Sequence, residues 1–260
     1  MNLVTIILAG GLGKRMNSDI PKVLHKIDNK PMIYHVIKVA LLTGSQHILI
    51  IVGKYKQLIE HTITVWFSPA ELTKIHYIDQ PESIDENGLV RVMGTGDAIK
   101  CSLPFFIDNN IDEKTKVLIL SGDVPLIKTD TIVRLLEKEN ALLITELVNP
   151  FGCGRIFFTE QDKIQKIVEE KDCNEIERTN KIVNCGIYNM NVDILLKCIP
   201  KIENNNKNKE YYLTDLVEIA IRNNFEIDYY KLPIENQREI LNINTLNELE
   251  LANNNKIKKE

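Results

Sequence analysis

The sequence LVTIILAGGLGKRMNSDIPKVLH, residues 3–25, decides how the rest of the chain is interpreted. Its first part, LVTIILA, is apolar and β-rich and predicts a buried strand over residues 3–8. A glycine-rich turn follows with two cations, Lys14 and Arg15, and a third cation, Lys22, comes shortly after. Such a turn can bring backbone N–H groups close to a phosphate chain while the cations neutralise its charge. The stretch therefore indicates a phosphate loop, although a purely structural turn would also use glycine.

Two common phosphate-binding loops are excluded by the residues at their fixed positions. A P-loop requires Gly five residues before its Gly-Lys pair and Ser or Thr after the pair, where this chain has Leu8 and Arg15. A dinucleotide-binding fingerprint starting at Gly11 would require glycine or alanine in place of Met16. The loop is thus a third kind of nucleotide loop or a structural turn.

Composition and charge restrict the class of protein. The chain has 260 residues, 44% of them hydrophobic, which supports a sizeable core. Its net charge of −4 implies no general affinity for nucleic acid. Five cysteines without a CxxC pair favour a reducing, cytoplasmic compartment over a disulfide framework. We find no signal peptide and no apolar run of the ~20 residues that span a membrane.

The first half of the chain alternates predicted strands and helices. Apolar runs predict strands at 3–8, 47–52, 75–78, 116–120 and 141–148, and helical spacing predicts helices at 31–43, 55–63, 95–103 and 129–138. We expect Thr129 to cap the last helix and residues 81–94 to form a loop. Because the strands are apolar throughout, the pattern predicts an α/β fold with a parallel sheet covered on both faces.

The second half has a different pattern. It predicts an antiparallel pair of strands at 154–158 and 164–168 and further strands at 182–190 and 227–232. It also predicts a polar loop at 204–209 and two helices, one from 212 onward and one at 244–252. We expect the tail after 253 to fray. No internal repeat or linker divides the chain.

Polar groups follow several of the predicted strands. Ligands of open α/β sheets bind at the carboxyl ends of the strands, where the 9–15 loop, Gln80, Gly94-Thr95-Gly96 and Asp123 fall. A carboxylate directly after a buried strand can hold a divalent cation against phosphate oxygens, so Asp123 is a candidate metal ligand. The alternative is an aspartate that only bonds its own turn.

The ordered motifs resemble a known family. LAGGLGKRM with PKVLH is similar to the signature of the sugar-1-phosphate nucleotidyltransferases, and most similar to the uridyltransferase domain of bacterial bifunctional enzymes that make UDP-N-acetylglucosamine. The resemblance continues through Gly122-Asp123-Val124-Pro125-Leu126, Gly154-Arg155-Ile156, Ile167-Val168-Glu169, Asn184-x-Gly186 and Glu210-Tyr211-Tyr212-Leu213-Thr214-Asp215 to Asn242.

The resemblance implies a role for each matching residue. It assigns phosphate binding in catalysis to Arg15 and Lys22, and Mg²⁺ ligation to Asp123 and Asn242. It assigns nucleotide binding to Leu8, Ala9, Gly10, Gly11, Gln80, Gly94, Thr95, Ser121 and Gly122, and sugar binding to Gly154, Glu169 and Asn184. Gln80 offers both a donor and an acceptor, as a uracil edge requires.

The resemblance also implies a fold and a reaction. The expected fold is Rossmann-like, with a mixed, mainly parallel sheet flanked by helices and a small antiparallel sugar-binding part. Residues 1–253 would form one domain, with its nucleotide-binding part at about 1–148 and its sugar-binding part at about 149–253, before a tail at 254–260. UTP and N-acetylglucosamine 1-phosphate would give UDP-N-acetylglucosamine and pyrophosphate. A homo-oligomer is left open, and neither a nucleic acid nor a membrane partner is expected.

Several residues depart from the family pattern. Ser121 stands where an aromatic residue is usual, Asp97 replaces a histidine, and Lys14 replaces a threonine. Asp97 is expected either to weaken triphosphate binding or to alter the start of its helix. The segment 81–93 is longer than in the family, so Gln80 either reads the base or has shifted away and left it to the loop.

Other functions remain open from the sequence. The same chemistry could join glucose 1-phosphate to UTP or dTTP. A non-catalytic nucleotide-sugar sensor would not need the metal ligands, and a Rossmann oxidoreductase is disfavoured by Met16 and the cationic loop. Since no hexapeptide repeats follow, we expect no β-helix acetyltransferase activity, and another protein would supply the sugar phosphate.

Overall fold

The computed structural model describes residues 2–11, 13–84, 90–91 and 93–257. The side chain of Lys14, Leu12 and much of the predicted 81–94 loop lie outside the described residues.

The nine predicted strands occur close to their predicted positions, and four short strands among the described residues were not predicted. They are β1 (Leu3–Leu8), β2 (Lys26–Ile27), β3 (Lys30–Pro31), β4 (His47–Val52), β5 (Ile75–Asp79), β6 (Ser83–Ile84), β7 (Val90–Arg91), β8 (Lys116–Ser121), β9 (Ala141–Glu146), β10 (Arg155–Phe158), β11 (Ile164–Val168), β12 (Ile182–Asn191) and β13 (Asp228–Lys231). The short pair β6 and β7 corrects part of the predicted loop, because Ser83 and Ile84 pair antiparallel with Arg91 and Val90.

The helices include several short ones that the sequence pattern does not reveal. They are α1 (Met32–Leu42), α2 (Lys56–Thr64), α3 (Pro69–Leu72), α4 (Thr95–Asp108), α5 (Thr129–Leu136), α6 (Glu175–Arg178), α7 (Val192–Cys198), α8 (Asp215–Arg222) and α9 (Leu246–Ile257). Short 3₁₀ helices lie at Lys14–Met16, Lys22–Leu24, Ile199–Lys201 and Ile234–Ile240. In the part of the chain that the structure describes, every helix is too short or too polar to cross a bilayer.

One mixed sheet organises the molecule. Its main path runs β11-β10-β12-β8-β1-β4-β5, and β9 pairs with both β12 and β13. The strands β8, β1, β4 and β5 are parallel, whereas β12 runs antiparallel to β8. The carboxyl ends of the four parallel strands therefore meet at one edge. The predicted mainly parallel α/β fold, with an antiparallel part built from β10 and β11, is confirmed.

Both faces of the sheet are covered by apolar side chains. Alternate residues of β1 point to opposite sides, so Leu3 and Ile7 pack with α1, α2 and α5, while Val4 and Ile6 pack with α4, α7 and α8. Strands buried on both faces read as continuous apolar runs, which is why the sequence pattern located them well.

Three helix boundaries differ from the predictions. The helix α4 continues through Pro104 to Asp108 because Leu103 and Phe106 are buried against the sheet. The predicted cap at Thr129 is wrong, since Lys128 precedes the helix without a side-chain cap and its N–H donates to Glu239 instead. The helix α9 extends to Ile257, beyond the predicted end at 252.

Candidate active site

The glycine loop lies at the carboxyl edge, between the ends of two strands. The N–H of Ala9 donates to Ile51 O at 2.9 Å, and the N–H of Gly122 donates to Leu8 O at 2.9 Å. Gly13 has a φ of +60°, and a Cβ there would lie 2.9 Å from the Cβ of Lys22. Glycine at this position lets the loop fold back so that the short helix carrying Lys22 packs against it.

A cavity of about 740 Å³ opens along this edge. Its walls carry most of the predicted nucleotide and phosphate residues: Leu8, Ala9, Gly10, Gly11, Arg15, Lys22, Gln80, Gly94, Thr95, Ser121 and Asp123. Glu169, a predicted sugar-binding residue, lines the same cavity. One cavity thus joins residues from all four predicted groups, which are the phosphate-binding, metal-binding, nucleotide-binding and sugar-binding residues.

Lys22 is the centre of a polar cluster at the cavity floor. Its ammonium donates to Asp123 Oδ2 in an ion pair and to Asn244 Oδ1 at 3.0 Å. The other oxygen of Asp123 accepts from Ser121 Oγ at 2.6 Å. Arg15 Nη2 also donates to Asn244 Oδ1, at 3.0 Å. The Lys22 and Asp123 side chains are only 17% and 9% exposed, so their charges act in a medium less polar than bulk water.

The predicted metal ligand Asn242 is exposed. Asn244, two positions later, contacts Arg15 and Lys22 of the cation cluster, and neither asparagine is among the described residues of the cavity wall. Between the two, the N–H of buried Ile243 donates to Asp123 O at 3.0 Å, and this bond fixes the position of the segment. The assignment of Asn242 stays a prediction, and Asn244 is a second candidate ligand beside it.

The donor set at the cluster fits a hard cation. Asp123 and Asn244 present a carboxylate and an amide oxygen, and the Lys22 ammonium contacts both. In this structure the two oxygens already contact the same positively charged group. Oxygen ligands of this kind suit Mg²⁺, which keeps several waters and takes the remainder of its ligands from substrate phosphates.

The start of α4 forms the opposite wall of the cavity. Gly94 adopts φ 98° and ψ 172°, and the N–H of Gly96 donates to Tyr211 O at 2.7 Å. Thr95 Oγ1 accepts from Leu213 N at 3.1 Å. Because Thr95 uses its hydroxyl in this way, it ties the helix start to the 211–213 segment.

The three predicted sugar residues have unequal positions. Glu169 lines the cavity and accepts from Thr214 Oγ1 at 2.9 Å, and burial raises the pKa of its carboxyl. Gly154 lies behind it, where a Cβ would be 3.4 Å from Glu169 Oε1. Asn184 is also outside the wall, since its amide donates to Tyr188 Oη at 2.6 Å and accepts from Gly186 N at 3.0 Å.

Gly122 likewise lies behind the wall. A Cβ there would be 3.0 Å from Val23 Cγ1 and 3.2 Å from Leu8 O. This glycine therefore allows β8 to pass close under the loop and does not itself face the cavity.

Lys54 and Tyr212 are among the wall residues that the sequence analysis did not assign to the site. Lys54 follows the end of β4 just as Asp123 follows the end of β8, so the rule that ligands bind at strand ends could have identified it. Tyr212 belongs to the segment that holds the start of α4 and also lines the cavity. Burial, together with the charges of Asp172, Glu210 and Glu169, raises its pKa to about 12.

Comparison with known proteins agrees with this geometry. The Nucleotidyl transferase family model matches residues 4–232. The chain is 43% identical over 255 residues to a probable UDP-N-acetylglucosamine pyrophosphorylase of Acanthamoeba polyphaga mimivirus, which covers 95% of this chain and 94% of that protein. It is 36% identical over 255 residues to the bifunctional protein GlmU of Alkaliphilus oremlandii (strain OhILAs), covering 96% of this chain and 50% of that protein. The chain thus spans about half of the length of this second relative.

A solved structure shares the fold. UDP-glucose pyrophosphorylase in complex with UDP-glucose superimposes with a TM-score of 0.71 at 18% identity, over 100% of both chains. The family predicted from the sequence motifs is therefore confirmed, and the chain belongs to the nucleotidyl transferase family.

Proposed function

We propose that this chain transfers a uridylyl group from UTP to N-acetylglucosamine 1-phosphate, giving UDP-N-acetylglucosamine and pyrophosphate. The observation that carries the proposal is that one cavity joins the glycine loop, the Lys22–Asp123 ion pair and Glu169. The relatives named above, one described as a UDP-N-acetylglucosamine pyrophosphorylase and one as GlmU, support this choice of substrates.

The reaction needs positioning and neutralisation more than a protein nucleophile. An oxygen of the sugar phosphate attacks the α-phosphorus of UTP, a new P–O bond forms, and the bond to the β-phosphate oxygen breaks as pyrophosphate leaves. Arg15 and Lys22 face the space where the phosphates would lie and would neutralise their charge. The glycine loop would bring backbone N–H groups to the same phosphates.

Asp123 and Asn244 would hold Mg²⁺ beside these phosphates. When bound, the ion supplies charge neutralisation at the phosphoryl oxygens. Lys22, which contacts both residues in this structure, would then turn its ammonium from Asp123 to a phosphate oxygen. Glu169 would accept a hydrogen bond from a sugar hydroxyl or the acetamido N–H, since its carboxylate already points along the cavity wall.

A substrate matrix tests the proposal. Purified protein with Mg²⁺ is offered UTP, dTTP, CTP and ATP, each with N-acetylglucosamine 1-phosphate or glucose 1-phosphate, and pyrophosphate release is measured. We expect the highest kcat/KM for UTP with N-acetylglucosamine 1-phosphate. A higher kcat/KM for UTP or dTTP with glucose 1-phosphate would replace the proposed substrates. No turnover with any pair would favour the nucleotide-sugar sensor.

A metal titration accompanies the matrix. Activity removed by EDTA should return with Mg²⁺, and comparison with Mn²⁺ and Ca²⁺ will rank the ions. Size-exclusion chromatography with light scattering tests the homo-oligomer, which stays a prediction.

A further inference from the structure

The side-chain amide of Gln80 is held on one side by two acceptors. Its Nε2 donates to Asp97 Oδ2 at 2.9 Å and to Gly94 O at 3.2 Å. The backbone is fixed as well, because the N–H of Gln80 donates to Val52 O at 2.8 Å. Both hydrogens of the amide nitrogen are therefore used on the side of α4.

These partners leave only one orientation for the amide. A carboxylate and a backbone carbonyl both accept hydrogen bonds, so a rotated amide would place its own oxygen against two acceptors. Rotation would cost at least the two hydrogen bonds and add repulsion between oxygens. Asp97 thus settles which end of Gln80 faces away from α4.

The end that faces away is an acceptor at the glycine loop. A Cβ added to Gly10 would lie 3.1 Å from Gln80 Oε1, so this oxygen points toward the loop. Gln80, Gly94 and Gly10 line the cavity, whereas Asp97 is not among the described residues of its wall. In the described parts of the chain, no group donates to Gln80 Oε1 within hydrogen-bond distance.

An acceptor at this place separates the bases by the chemistry of their ring nitrogens. Uracil carries an N–H between two carbonyls and can donate to Gln80 Oε1. Cytosine has nearly the same size, but its ring nitrogen at that position is an acceptor and cannot donate to Gln80 Oε1. The corresponding ring nitrogen of adenine is also an acceptor. Guanine carries a ring N–H too, so the acceptor alone distinguishes uracil and guanine from cytosine and adenine.

We propose that Asp97 is a positioning residue for base selection: it orients Gln80 so that an acceptor faces the nucleotide and favours uracil over cytosine. This inference rests on the proposed function in placing a pyrimidine nucleotide in this cavity. It also gives Asp97 a role in place of the expected weakening of triphosphate binding, because its carboxylate is engaged with the Gln80 amide and lies behind the wall.

Binding and turnover of UTP and CTP test the proposal. Calorimetry with Mg²⁺ and no sugar phosphate gives the dissociation constant of each nucleotide, and pyrophosphate release gives kcat/KM. We expect the wild-type protein to favour UTP by roughly 100-fold or more, in line with sites built around a specific hydrogen bond. Asp97→Leu should reduce this ratio by roughly tenfold, mainly through a higher KM for UTP.

Two further variants identify the route of the effect. Asp97→Asn keeps an oxygen that can accept from Gln80 Nε2 and should retain most of the preference. In a Gln80→Ala background, Asp97→Leu should leave the ratio nearly unchanged, because the amide it orients is gone. Asp130→Leu is the matched control: it removes an exposed carboxylate from the first turn of α5, away from the cavity, and should not alter the ratio.

The outcomes separate this inference from the proposed function. Equal losses for UTP and CTP in Asp97→Leu would mean a merely structural role and would overturn the inference, as would a wild-type protein that binds CTP as tightly as UTP. If the wild-type protein binds UTP selectively but transfers no uridylyl group, the proposed function fails, and the ratio measured by calorimetry still decides the role of Asp97.

Discussion

The ammonium of Lys22 and the carboxylate of Asp123 form an ion pair although 101 positions separate them in the sequence. Lys22 belongs to the short helix that follows the glycine loop, and Asp123 follows β8. The parallel pairing of β1 with β8 brings the two ends together, since Leu8 lies opposite Ser121. Asn244 completes the cluster from the far end of the chain. The fold thus gathers a cationic side chain, a carboxylate and an amide oxygen beside the glycine loop.

Asp123→Asn should nearly abolish turnover. The change removes the negative charge that would hold the divalent cation, while the similar shape of asparagine keeps the hydrogen bond from Ser121. We expect kcat/KM to fall roughly 100-fold or more, with a rise in the Mg²⁺ concentration needed for half-maximal rate. Steady-state pyrophosphate release across a Mg²⁺ titration measures both.

The control for Asp123 is an ion pair of similar length elsewhere. Asp228 pairs with Lys138 at 2.6 Å on the surface, at the start of β13, so Asp228→Asn should leave kcat/KM within about twofold. Unchanged turnover in Asp123→Asn would show that the metal prediction is wrong.

Asn244→Ala and Asn242→Ala should differ sharply. Asn244 Oδ1 accepts from both Lys22 and Arg15, whereas the side chain of Asn242 is exposed. We expect the first variant to lose roughly 10- to 100-fold in kcat/KM, since a cation ligand and the partner of two cationic side chains disappear. The second should behave like the wild type, and a larger loss in Asn242→Ala would favour the assignment of Asn242. The same Mg²⁺ titration serves as the measurement.

The comparison of these two asparagines shows where sequence reasoning reaches its limit. Continuous apolar runs and strand-end polar residues predicted β1, β4 and β8 and placed the 9–15 loop, Gln80 and Asp123 at one edge, because parallel strands constrain where their ends lie. The segment around Ile243 has no such constraint. Two asparagines flank one buried residue, and only the contact of Ile243 with Asp123 fixes which of them reaches the cluster.

Long-range side-chain contacts were also beyond the sequence. Asp97 was recognised as unusual, but its partner depends on how β5 and α4 approach each other, which the pattern of neither element shows. The expected side-chain cap at Thr129 is absent, and the N–H of Lys128 just before the helix donates to Glu239, a buried residue 111 positions away. Local propensity identifies a helix start well only where a side chain close in sequence accepts hydrogen bonds from the first N–H groups of the helix.

Glu169→Gln should impair sugar binding and spare nucleotide binding. The carboxylate lines the cavity beside Gly154, and its hydrogen bond from Thr214 fixes its orientation. Loss of a charged acceptor should raise the KM for N-acetylglucosamine 1-phosphate by roughly tenfold, with little change in the dissociation constant of UTP. Steady-state kinetics and calorimetry measure the two quantities.

The matched control for Glu169 is Glu146→Gln. Glu146 also ends a strand, but it is exposed, its carboxylate pairs with Lys231 at 3.3 Å, and it is not among the described residues of the cavity wall. Both KM values should stay at wild-type levels. An equal rise in the two KM values of Glu169→Gln would instead indicate a general distortion of the cavity.

Gly94→Ala should destabilise the protein more than Gly44→Ala. Both glycines have positive φ, +98° and +88°, but a Cβ at Gly94 would lie 2.5 Å from Tyr211 O, while one at Gly44 meets nothing within 4 Å. Gly44→Ala should cost about 1–2 kcal/mol of unfolding free energy for the left-handed backbone alone. Gly94→Ala must also move the segment of Tyr211, and we expect at least about 2 kcal/mol more.

Urea denaturation followed by circular dichroism measures both glycine variants. Gly94→Ala should also bind UTP more weakly, because the shift opens the wall that carries Gln80's partner carbonyl. Equal losses of stability in the two variants would mean that the contact with Tyr211 relaxes at little cost.

Asp215→Asn should stabilise the protein at neutral pH and much less in acid. Burial, followed by the charges of Glu169, Glu218 and Asp172, raises the pKa of Asp215 from 3.8 to about 6. The folded state then binds a proton more tightly than the unfolded state, so the free energy of unfolding falls as pH rises from about 4 to about 6. Asparagine carries no charge at any of these values and removes that loss. We therefore expect the difference in Tm between variant and wild type to grow across this window and level off above pH 7. Thermal unfolding at half-unit steps from pH 4 to 8 measures it, with Asp130→Asn, which changes an exposed carboxylate in the first turn of α5, as the control. A Tm difference for Asp215→Asn that is the same at pH 4 and pH 8 would contradict the raised pKa.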